Sequence, residues 1–186
     1  MTAAEKPSRH ANPDVASLRW NETLANGTNL LIRAISKDDV ELERTFINGM
    51  SPESRHMRFL AQISAPSDEL LKRLTDLDFD REMALVATID QHGTEVEIGV
   101  SRYATADDRE VGECAVTVAD DWQHRGVGTL LMRRLIEVAR ARGIKKLYSL
   151  DDPENVKMQE LAEELGFTRH FDPQNPHEVT HSFDLS

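Results

Sequence analysis

The chain has 186 residues and 21.0 kDa, the size of one ordinary domain, with 39% hydrophobic residues to form a single core. Lys and Arg number 22 against 33 Asp and Glu; the net charge of −11 repels polyanions and argues against a nucleic-acid or anionic-membrane surface. No apolar run reaches the ~18 residues of a membrane span, the N-terminus lacks the apolar core of a signal peptide, and the lone Cys114 excludes an internal disulfide, so a cytoplasmic location is expected.

Residues 1–28 are rich in small, polar and charged residues without apolar periodicity and read as a flexible tail ending in an Asn26-Gly27 turn, ahead of one domain over 29–186. Leu30, Leu31, Ile32 and Ile35 mark a first strand. Ser36 to Asp39 offers helix caps before Val40, Leu42, Phe46 and Ile47 at helical spacing. Ser51-Pro52-Glu53 starts a second helix carrying Met57, Phe59 and Leu60, and Leu70, Leu71 and Leu74 mark a third. The period then changes: 83–89, 96–103 and 111–118 are strands joined by turns at Gln91-His92-Gly93 and at Asp107 to Arg109, an antiparallel meander. Val127, Leu131, Leu135 and Val138 share one face of a long helix that Gly143 ends. A strand over 144–150, a helix running to Leu165-Gly166 and two closing strands, 167–171 and 179–185, complete a mixed α/β sheet.

Charge is unevenly placed. Between Trp122 and Lys146 stand seven basic residues and only Glu137, a net of +6 that leaves −17 for the rest. This island surrounds Gln123-His124-Arg125-Gly126-Val127-Gly128, where a strand hands over to the long helix. The first turn of a helix has unpartnered N–H groups and a partial positive charge. Glycines there allow close approach of an anion to the backbone, and Arg125 adds a bidentate donor, so the turn is a candidate pyrophosphate cradle. A P-loop would need Lys-Ser/Thr after Gly128, where Thr129-Leu130 stand, and a dinucleotide fingerprint would need glycine at Leu131.

The pattern Gln123-x-x-Gly126-x-Gly128, opening a long helix after a strand that ends at Val118, resembles the acetyl-CoA loop of the GNAT family of N-acetyltransferases. The helix running from Asn155 to Leu165-Gly166-Phe167 resembles that family's second signature. The likeness spans about residues 30–185. Ser51-Pro52-Glu53-Ser54-Arg55, the stretch 79–86 and Glu113-Cys114-Ala115-Val116 are similar to the GNAT domain of bacterial Pat-type protein-lysine acetyltransferases. The resemblance implies a central, mostly antiparallel sheet splayed between two parallel strands and flanked by helices. It implies an acetyl-CoA site with Val116, Thr117 and Val118 pairing with the pantetheine. Gln123, His124 (through its backbone), Arg125, Gly126, Val127, Gly128 and Thr129 would hold the pyrophosphate, with Asn155 beside the pantetheine arm. Glu113 would be the base that deprotonates a primary amine, a protein lysine first and a small amine or polyamine second. Read from its strand alone, Glu113 is a solvated edge carboxylate. Cys114 alternates to the opposite face and reads as a buried thiol.

Ala162 stands where many members of the family carry a tyrosine that protonates the leaving thiolate, which leaves the general acid unassigned. No metal is expected. His177-Glu178-Val179-Thr180-His181 has zinc-peptidase spacing, but strand alternation puts its histidines ~13 Å apart instead of the ~6 Å of a helical pair. A homodimer is left open by the sequence. The rival from another class is a non-catalytic module that senses acyl-CoA.

Overall fold

The computed structural model describes residues 14–59, 65–106 and 108–186; Leu60 and Asp107 of the expected helix and turn, and residues 1–13, lie outside them. Eight strands form one sheet in the order β1-β2-β3-β4-β5-β6-β8-β7. They are β1 (Arg19–Thr23), β2 (Asn29–Ala34), β3 (Glu82–Gln91), β4 (Thr94–Thr105), β5 (Val111–Val118), β6 (Lys146–Asp151), β7 (Thr168–Phe171) and β8 (Val179–Asp184). All pairs are antiparallel except β5 with β6. Helices α1 (Val40–Gly49), α2 (Pro52–Phe59) and α3 (Asp68–Thr75) precede β3, α4 (Val127–Ala141) follows β5, and α5 (Val156–Leu165) follows β6. This is the mixed α/β sheet expected. No helix among the described residues is long and apolar enough to cross a membrane.

β3 is central and buried on both faces, which is why Met83 to Ile89 reads as a continuous apolar run rather than an alternating one. Met83, Leu85 and Ala87 face Leu131, Met132 and Leu135 of α4, while Ala84 and Val86 pack with Phe46 and Ile47 of α1 and Leu71 and Leu74 of α3. Caps read from the sequence are formed as drawn: Ser36 makes a capping box with Asp39, and the Ser51 hydroxyl accepts from the Ser54 amide at 3.1 Å.

The tail expected over residues 1–28 is replaced over 14–28 by structure. β1 pairs with β2 from Arg19↔Arg33 to Thr23↔Asn29, and the Asn26-Gly27 turn closes this hairpin, with Gly27 at φ +86° and its amide 2.8 Å from the Leu24 carbonyl. Leu18 and Leu24 are buried at either end, Arg134 of α4 stacks on Trp20 at 5.4 Å, and the same guanidinium pairs with Glu22. Arg-Trp-Asn-Glu-Thr is an edge strand whose two inward positions are Trp20 and Glu22, so a single apolar residue could not announce it by alternation.

A buried acidic pair lies between α1 and the sheet. Glu43 and Glu97 are almost fully buried, and Arg102 reaches Glu43 at 3.4 Å. Burial and the Glu43 charge push the Glu97 carboxyl well above the usual range, with Arg102 opposing them only in part. Folding therefore binds a proton here, and stability falls as pH climbs from the unfolded carboxylate value toward the folded one. In Glu97→Gln the amide can donate to Glu43 Oε2, which is buried without a partner. Stability at pH 8 should rise by ~1 kcal/mol, or ~2–4 °C in Tm, with a flatter pH dependence above pH 5; thermal melts across that range check it.

Candidate active site

The sheet is divided locally between β5 and β6. β5 pairs with β4 from Gly112 to Val118 but with β6 only over Val111–Glu113. β6 keeps its pairing with β8 as far as Asp151↔Val179. Beyond Glu113 and Tyr148 the two parallel strands separate into a wedge, each still held by its outer neighbour. A cavity of about 1080 Å³ fills this wedge, lined by β5, the 122–130 segment, the start of α5 and part of α2.

At the mouth of the wedge a 3-10 turn (Asp120–Trp122) leads into the loop before α4. His124 and Gly126 both take positive φ, +56° and +88°. Helical bonding begins with the Leu130 amide on the Gly126 carbonyl at 3.0 Å, which leaves the amides of Val127, Gly128 and Thr129 without helical acceptors. A Cβ on Gly126 would meet nothing within 4 Å, whereas one on Gly128 would press to 3.3 Å against Leu161 of α5. Gly126 thus provides an open backbone turn and Gly128 a close helix approach. The Arg125 guanidinium lies over the Trp122 ring at 5.1 Å. Gln123 donates its side-chain amide to the Val118 carbonyl at 3.1 Å, clamping the strand to the loop, and Asp120 accepts from Ser51 and Ser54, which ties the start of α2 to the same loop.

Of the residues expected to hold the nucleotide, Val116, Thr117, Val118, Gln123, His124, Arg125, Gly126, Gly128, Thr129 and Asn155 line the cavity. Val127 does not; its side chain is buried in the core at 1% exposure, and only its amide belongs to the open helix end. The Thr129 hydroxyl donates to Glu164 at 3.2 Å. Asn155 is the N-cap of α5, with its side-chain oxygen accepting from the Met158 amide at 3.1 Å.

Glu113 lies at the apex of the wedge, exposed, where strand alternation turns it away from the buried Cys114. It lines both the wedge cavity and a second cavity of about 500 Å³, whose lining adds Glu82 and Met83 of β3 and Arg102 to Thr105 of β4. The Tyr148 hydroxyl on β6 is 3.5 Å from Glu113 Oε2; burial and the Glu113 charge push this phenol up, so it stays protonated as a donor. Burial pushes the Cys114 thiol up to about 12, so it is protonated and a poor nucleophile at neutral pH.

Sequence reading missed Tyr148, Arg58 on α2, which lines both cavities, and Asp151 on β6. The Asp151 carboxylate accepts from Ser149 at 2.6 Å and meets Nδ1 of the buried His181 at 2.9 Å. His181 was visible as the second histidine of the peptidase-like motif. The structure gives it an inward place on β8, while His177 is exposed ahead of that strand.

The profile of the Acetyltransferase (GNAT) family matches residues 53–167. The chain is 43% identical over 166 residues to the acetyltransferase PA5475 of Pseudomonas aeruginosa, covering 89% of each. It is 30% identical over 130 residues to the acetyltransferase Pat of Mycolicibacterium smegmatis, covering 68% of this chain but only 38% of that relative. The crystal structure of the GNAT domain of S. lividans PAT superposes with a TM-score of 0.81 at 27% identity, over 97% of this chain and 99% of that one.

Proposed function

From the membership of this chain in the GNAT acetyltransferase family, we propose that it transfers the acetyl group of acetyl-CoA directly to a primary amine, with Glu113 as the base. The observation that carries this reading is the position of Glu113, an exposed carboxylate where the wedge cavity and the second cavity adjoin. The residues fit the nucleotide: three unpartnered helix amides, the open turn at Gly126 and the Arg125 guanidinium form an anion cradle at the wedge mouth. Bound there, acetyl-CoA supplies a thioester carbon that an amine can attack.

The chain's own groups do the rest. An amine of pKa near 10 is almost wholly ammonium at pH 7, so Glu113 takes its proton, directly or through a water, before the N–C bond forms and the C–S bond breaks. Tyr148 orients the carboxylate. Cys114 forms no acyl-enzyme, since it is protonated and faces the other side of β5. The departing thiolate takes its proton from water, Ala162 being apolar.

The Pat-type resemblance supports a protein lysine as acceptor, and the limited second cavity supports a small amine. A panel of lysine peptides, polyamines and amino compounds, read by thiol release, tests the reading. Acetyl-CoA-dependent turnover with at least one class is expected. Acetyl-CoA binding without turnover of any amine would overturn the enzyme in favour of a sensing module.

A further inference from the structure

Arg58 stands near the C-terminal end of α2, which packs against β5. Its side chain lines both cavities, together with Glu113, Cys114 and Ala115, so it sits at the neck between them. It stacks over the neighbouring Phe59 ring at 5.0 Å, and among the described residues it has no hydrogen-bond acceptor and no ion-pair partner. Burial and the charge of Arg102 hold its pKa down to about 10, so at pH 7 it remains a cation. A half-buried guanidinium that lines a cavity without an ion-pair partner is available to an anionic ligand.

Arg102 lines the second cavity as well. It is held from behind by the Glu43 carboxylate and the Leu74 carbonyl, both at 3.4 Å, and its Nε has no partner. The lining of the second cavity therefore includes two guanidiniums, Arg58 from α2 and Arg102 from β4. The same lining carries Glu113 with Tyr148, and Glu82 is its other carboxylate; by strand register these three share one face of the sheet with Arg102, while Arg58 comes from α2. Residues 123–129, the loop expected to hold the cofactor's phosphates, do not line the second cavity, although Arg58 shares the wedge cavity with them.

A cavity lined by both guanidiniums and carboxylates is the complement of a zwitterion. We propose that the acceptor is an amine that also carries a carboxylate, its ammonium placed at Glu113 and its carboxylate taken by the planar fork of Arg58, with Arg102 adding charge behind. A cavity of about 500 Å³ accommodates a molecule of amino-acid size. The proposal deepens the acetyltransfer reading and rests on it. The same chemistry can come from a free amino-carboxylate or from an acidic side chain beside a lysine in a peptide.

The test is thiol release at saturating acetyl-CoA on matched acceptors: 5-aminopentanoate against pentylamine, and lysine peptides with Glu or Gln next to the lysine. In the wild-type protein, kcat/KM is expected to be at least tenfold higher for the carboxylate-bearing member of one pair, through KM. A preference in the first pair identifies a free amino-carboxylate, and one in the second an acidic peptide. Arg58→Gln should bring the ratio to near one and Arg58→Lys should keep part of it, with thermal melts confirming that both variants fold. A ratio near one in the wild type, or one that survives Arg58→Gln, overturns the proposal while leaving acetyltransfer intact. Failure of every amine to react, with acetyl-CoA still bound, would instead overturn the reading beneath it.

Discussion

Glu113→Gln should lower kcat by ~10²–10⁴ at pH 7 while acetyl-CoA affinity changes by less than about twofold. The substitution is isosteric, the Tyr148 hydroxyl keeps an oxygen acceptor, and Glu113 is exposed, so neither β5 nor its packing should move. What is lost is the ability to take a proton from an ammonium. The variant's rate should therefore climb about tenfold per pH unit below the amine pKa, as free amine accumulates, and its deficit should narrow toward pH 10. Kinetics from pH 6 to 10, beside a binding isotherm for acetyl-CoA, separate this from a general loss of structure. A kcat within a few-fold of wild type at pH 7 would remove Glu113 from the chemistry.

The second large effect is expected at Gly126, where two substitutions distinguish backbone strain from charge. At φ +88° any L-residue is strained by ~1 kcal/mol or more, although there is open space for its Cβ. Gly126→Ala and Gly126→Glu share that strain and should lose similar thermal stability. Only the glutamate places a negative charge among the unpartnered amides at the start of α4. Acetyl-CoA should bind Gly126→Ala several-fold more weakly than wild type, and Gly126→Glu at least ~100-fold more weakly, a difference above ~2 kcal/mol. Equal affinities for the two variants in calorimetry would mean that the anion is held elsewhere.

Glu113 was singled out only by the family resemblance, its strand alone reading it as a solvated edge carboxylate, whereas Gly126 stood out because its signal is local: a glycine turn at the head of an amphipathic helix. The same holds for β3 and α4, whose long periodic runs face a core on one side or both. What escaped is set by partners far along the chain. The splay of the two parallel strands was expected from the family resemblance alone; where it begins, after Glu113, depends on which outer strand holds β5 and β6, and no residue in either strand states that. Asp151 and His181 meet across neighbouring strands from positions thirty residues apart. Arg58 reads from its helix as one more solvated charge, and only the seating of α2 on β5 turns it into the neck of the site. β1 was missed because Trp20 is its single apolar residue, too little for an alternating pattern, although the Asn26-Gly27 turn that closes its hairpin was readable.

The wedge is held open from outside, by β4 on one flank and β8 on the other, so ligand entry breaks no strand pairing. In an antiparallel partner of β4, alternate amides of β5 beyond Glu113 point away from β4, here into open solvent. Those amides exchange their hydrogens quickly in the free protein, in the midst of a sheet whose other central amides are slow. An extended ligand that pairs with β5 would slow them selectively, giving a residue-level clock for occupancy of the wedge that requires no turnover and no knowledge of the acceptor.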